Sequence, residues 1–68
     1  MPNQYLTRAA LLETVINALP AKDRNDRPAI RQAMNDIADS FRRDGYTVPD
    51  FAQDRFVRDA QAGLRAKS

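Results

Sequence analysis

Neither cysteine nor histidine occurs in the 68-residue chain, and at this length their absence removes the usual means of holding a small fold shut. A chain so short buries only about 60% of the surface that its unfolded form exposes. Ordering it costs roughly 1.5 kcal/mol per residue against about 25 cal/mol per Å² of apolar area gained. With no disulfide or zinc site to add to that balance, stability has to come from close helix packing or from association. The same absence bears on chemistry, because imidazole and thiol supply most of the bases, nucleophiles and metal ligands that work at neutral pH. The expectation is a protein that is not an enzyme, with no catalytic residue, no metal and no cofactor.

Hydrophobic residues make up 43% of the chain and charged residues 29%, with only two glycines, a balance that suits a folded domain rather than a low-complexity segment. The longest apolar run is Ala9 to Leu12, far short of a membrane span, and Met1 to Leu6 lacks the basic start of a signal peptide. A soluble, cytoplasmic protein without a membrane partner is therefore expected.

Apolar spacing predicts helices and little else. From Thr7 to Leu19 the apolar residues Leu11, Leu12, Val15, Ile16 and Leu19 cover two adjacent faces. Thr7 is the N-cap and Leu6 and Leu11 are spaced as a hydrophobic staple. Pro20 ends this segment, and residues 21 to 26 read as a polar loop with no apolar anchor. A second helix begins near Asp26 with Pro28 in its first turn and runs to Arg43. Ile30, Met34, Ile37 and Phe41 form its buried seam, and Asp44-Gly45 closes it.

Tyr46 to Pro49 reads as an extended connector. Asp50 is placed to cap a third helix, with Gln53 as its capping-box partner. Phe56, Val57 and Ala60 turn inward, Leu64 lies just past Gly63, and Arg65 to Ser68 read as a frayed tail. No period-two alternation marks a strand. These signals predict an all-α, compact three-helix domain, with helices at about 7–19, 26–43 and 51–62. The first two form an antiparallel pair and the third crosses them, in a single domain over residues 1–68 with frayed termini.

The C-terminal half contains Ala38-Asp39-Ser40-Phe41 at the second helix end, then Pro49, Phe51, Arg55 and Phe56. In this it resembles small phage and bacterial proteins with an alanine-aspartate-x-phenylalanine helix end and a proline-x-phenylalanine-x-x-x-arginine-phenylalanine tail. Val48 stands where that pattern has asparagine, and Ala52 where it has aspartate. The resemblance spans about the last thirty residues. It implies a phage or mobile-element origin and a packing role for Phe41, Phe51 and Phe56, but no activity.

Function has to be sought among the charges. Asp39 with Arg43 and Asp54 with Arg58 are spaced as i,i+4 helix pairs, while Asp36 and Asp39 alone make a poor ion site. Lys22, Arg24, Arg27 and Arg31 cluster at the first loop and the start of the second helix, with Gln32 and Asn35 beside them. Arginine, asparagine and glutamine are the side chains that read base edges, and the sequence pI is about 9.5. The net charge is only +2, and Asp23, Asp26 and Asp36 interrupt the patch.

The expected function is a non-enzymatic protein-binding module, a phage or mobile-element accessory protein that inhibits or redirects a host protein in the host cytosol. Its partner-binding residues would be Arg24, Arg27, Arg31, Asn35 and Tyr46. Apolar anchors would supply affinity and the arginine rim orientation. The alternative is a dimeric DNA-binding regulator that uses Arg27, Arg31, Gln32 and Asn35 on the second helix.

The thin core predicts that the isolated chain is a homodimer or melts early. Sedimentation at micromolar concentration with thermal melting checks this, and a monomer that melts above about 70 °C contradicts it.

Overall fold

Local capping decides where the helices begin. The computed structural model describes residues 4–67. Within it α1 spans Arg8–Ala18, α2 Arg27–Arg43 and α3 Gln53–Lys67. The Thr7 hydroxyl accepts the Ala10 N–H at 3.0 Å, and the Asp26 carboxylate accepts the Ala29 N–H at 3.1 Å, so each satisfies an N–H that the first turn leaves orphaned. Leu6 and Leu11 both join the core, as a staple across the start of α1 requires. At the far end of α2, Gly45 takes φ +91°, and its N–H donates to the Arg42 carbonyl at 3.0 Å, which is the work of a C′ glycine.

The connector after α2 is extended, and its free backbone groups find a partner. Gln4–Tyr5 (β1) pairs in parallel with Tyr46–Thr47 (β2), Gln4 opposite Tyr46 and Tyr5 opposite Thr47. The Leu6 N–H then donates to the Thr47 carbonyl at 2.9 Å. Sequence periodicity could not mark strands of two residues, and they exist because unpaired backbone donors and acceptors next to a core need partners. The pairing sets the start of α1 beside the end of α2, so these helices are antiparallel.

Contacts along α3 fix its direction. Arg31 near the start of α2 pairs with Asp54 at the start of α3, whereas the Arg24 carbonyl, ahead of α2, accepts from Gln61 late in α3 at 3.0 Å. α3 therefore runs against α2, and in the sense of α1, as Arg8 with Asp59 and Ile16 with Gly63 show. The predicted all-α three-helix domain is the observed architecture. Its core is built from Leu6, Leu11 and Val15, from Ile30, Met34 and Ala38, and from Phe56, Val57, Ala60 and Leu64.

Four local expectations give way. The seam of α2 follows Ile30, Met34 and Ala38, while Ile37 and Phe41 are only half-buried against the core. Small Ala38 lies beside Pro49 and Phe51, where the segment leading into α3 passes α2. Residues Ala21–Asn25 form a 3₁₀ helix rather than a loose loop, and Gln61 anchors it. α3 takes its first hydrogen bond from the Phe56 N–H to the Ala52 carbonyl at 3.0 Å, so the cap falls at Ala52 and not Asp50. At its other end α3 continues through Gly63 to Lys67, so Arg65 to Lys67 form its last turn rather than a frayed tail. Ser68 lies outside the described residues.

The last turn holds because Lys67 has something to hold. Pro20 has no N–H to offer the Ile16 carbonyl. The Lys67 ammonium donates to that carbonyl at 2.7 Å and to the Leu19 carbonyl at 2.8 Å. A cation thus satisfies the C-terminal carbonyls of another helix, where the helix dipole favours it.

Gly63 allows this approach. A methyl placed on it would strike Ile16 Cδ1 and crowd Cγ1. Helix propensity alone would make Gly63→Ala stabilising by about 1 kcal/mol. We expect instead a loss of about 1–3 kcal/mol from overpacking. In an Ile16→Ala background the same change should become neutral or stabilising, as read from urea unfolding of the four-variant cycle.

Candidate functional site

Two antiparallel helices whose outer residues recur every turn present facing rows of side chains. On α2 the row is Arg27, Arg31 and Asn35, and α3 contributes Asp54, Arg55, Arg58 and Asp59. The α2 side opens into a shallow groove of about 590 Å³ lined by Arg27, Pro28, Arg31, Gln32, Asn35 and Asp54. A second groove, of about 400 Å³, is lined by Ala52, Asp54, Arg55, Arg58 and Asp59. Asp54 belongs to both and forms the ridge between them.

Cross-helix pairs tie the face together. Arg31 Nη2 donates to Asp54 Oδ1 at 2.7 Å. Arg8, at the start of α1, donates to Asp59 Oδ2 at 2.6 Å and places its guanidinium 5.5 Å from the Phe56 ring centroid. Both aspartates of the face are thus engaged. Among the described residues, Arg27, Arg55 and Arg58 take no ion pair. The expected pairing of Asp54 with Arg58 is replaced by Asp54 with Arg31. Asp39 pairs with Arg42 at 2.8 Å rather than with Arg43. Asp36 accepts from Gln32 at 2.9 Å.

The expected partner-binding residues do not all meet. Arg27, Arg31 and Asn35 share the first groove. Arg24 lies in the 3₁₀ helix, and its guanidinium turns back to the Ala21 carbonyl at 3.3 Å. Tyr46 is at the other end of α2, about 25 Å away along the axis. It is half-buried with its ring edge-on to Phe41, centroids 5.1 Å apart at 84°, so it covers the helix end rather than projecting as an anchor. Apolar anchors on the surface are also few: Tyr5, 70% exposed, is the one large exposed hydrophobic residue among those described.

Arg55 and Arg58 were missed as members of the face, because local spacing assigned Arg58 to Asp54 and gave Arg55 only a place in the tail motif. No sequence signal reveals that α2 supplies the partner of Asp54. Phe51, from the same motif, stacks on Phe56 with centroids 4.8 Å apart, the packing role that the motif implied. Compared with known protein families, curated proteins and solved structures, the chain finds no match. No helix among the described residues is long and apolar enough to cross a membrane.

The exposed Arg31–Asp54 pair should matter little for stability. Arg31→Ala and Asp54→Ala are each expected to shift the unfolding free energy by under about 1 kcal/mol, measured by urea denaturation.

Proposed function

We propose that the protein is a non-enzymatic binding module that acts by occupying a surface on another protein. One observation carries the reading: an exposed face on which four arginines stand among two aspartates, one of the arginines, Arg31, being tied to Asp54 across the helices. Duplex DNA presents one phosphate charge per about 1.7 Å of axis, a continuous negative surface that an acidic ridge at Asp54 opposes. A protein surface, with charges of both signs, can be complementary to such a face. Two of the four residues of the DNA-reading alternative, Arg31 and Gln32, are already held by Asp54 and Asp36. Orientation then comes from charged and hydrogen-bonding groups more than from apolar anchors.

The tail residues Pro49, Phe51, Arg55 and Phe56 support the further reading of a phage or mobile-element accessory protein that inhibits or redirects a host component in the host cytosol. Self-association as a homodimer, to cover a thin core, belongs to the same proposal.

Labelled random duplex titrated at about 0.15 M salt should show no binding in the micromolar range. The reading fails if binding is micromolar or tighter, weakens by several log units per log unit of salt, and is lost in Arg27→Ala/Arg31→Ala. That result would establish the DNA-binding regulator instead.

A further inference from the structure

We infer that the α2–α3 face docks a carboxylate-bearing segment of a partner protein, and that Asp54 occupies on Arg31 the place which a partner carboxylate takes. The inference rests on the protein-binding reading and goes further by naming the surface, the chemistry of the partner and the group displaced. Three arginines of the face, Arg27, Arg55 and Arg58, have no ion pair among the described residues, and the fourth, Arg31, is held by a single exposed carboxylate. Arg27 and Arg31 stand one turn apart, so their heads match carboxylates repeated at one helical turn on a partner. Planar guanidinium groups bind such carboxylates through paired N–H donors.

Asp54 is the half of the pair that yields. Its side chain is 77% exposed against 46% for Arg31, and it stands on the ridge between the two grooves, where an approaching partner meets it first. Both residues line the first groove, and Asp54 is the more exposed of the two. Exchanging one carboxylate for another on the same guanidinium alters little in local energy, because exposed ion pairs are weak. The internal pair therefore keeps the arginine extended without blocking its use. Once displaced, the Asp54 carboxylate remains close to the incoming acid and opposes it, so this residue limits affinity.

The test uses a fluorescein-labelled helical peptide of alanine and glutamate, with glutamates at i,i+4, read by anisotropy at about 0.01 M ionic strength where screening is weak. The wild-type chain should bind it. Asp54→Asn should tighten binding about three- to fivefold, and Arg31→Ala and Arg58→Ala should each weaken it by a similar factor. Arg43→Ala, about 18 Å beyond Arg31 along α2, should leave it unchanged. No binding, an Asp54→Asn effect that is absent or reversed, or a loss in Arg43→Ala equal to that in Arg31→Ala overturns the inference. In those cases the assignment of this face to a carboxylate partner falls, and the broader protein-binding reading is judged separately, by the duplex titration. Labelled duplex bound more tightly than the peptide, with the same dependence on Arg31, overturns both.

Discussion

α1 and α3 run side by side at a distance set by Gly63, where even one methyl would meet Ile16. The rest of the bundle depends on that approach. It brings Lys67 within reach of the Ile16 and Leu19 carbonyls and lets Leu64 bury completely. At the other end of the same helix pair, Arg8 lies against Phe56 and Asp59. A glycine inside a helix carries a penalty of about 1 kcal/mol relative to alanine, and here close packing over the length of two helices offsets it. With no cysteine to close the fold through a disulfide, separations between helices are what such a small core can improve.

The surface obeys a different economy. Its ion pairs are exposed or half-exposed and contribute little to folding, yet each spans two helices or two turns and so fixes where a guanidinium points. Arg31 and Arg8 are held in this way, while Arg27, Arg55 and Arg58 extend from neighbouring turns. Positioned arginines lose less side-chain entropy on binding than free ones. Where such pairs exist, as at Arg31 and Arg8, they set side-chain direction while hardly affecting whether the chain folds.

What could be read from the sequence was what depends on neighbours in the chain. The caps at Thr7 and Asp26, the closing Gly45 and the inward set of Phe56, Val57 and Ala60 all follow from local rules. Where two helices meet, local rules ran out. A 4, 3, 4 spacing and a 4, 4 spacing both describe one face of α2, and only the position of its neighbours selects Ala38 over Ile37 and Phe41. Gly63 has a poor helical propensity, and nothing within a few residues of it reveals Ile16, 47 positions earlier in the chain. Asp54 has an acceptable partner four residues on in Arg58, so its choice of Arg31 was invisible until the helices were set against each other. Half of the candidate site, Arg27, Arg31 and Asn35, was visible because it lies on one helix. The half that α3 supplies was not.

Pro20 leaves a carbonyl without a donor at the end of the first helix, and the donor that answers it is 51 residues further along. During synthesis, α1 and α2 leave the ribosome well before Lys67 does. The helical pair that emerges first has an open end and lacks the Phe56-centred layer against which it packs. Closure of that end needs the last turn of α3, a contact between residues 51 apart in the sequence, so it is a long-range step rather than a local one. Without α3 the apolar residues Leu11, Val15, Ile30 and Met34, all buried in the folded chain, lose part of their cover, and exposed apolar surface of this kind makes incompletely folded chains prone to aggregate.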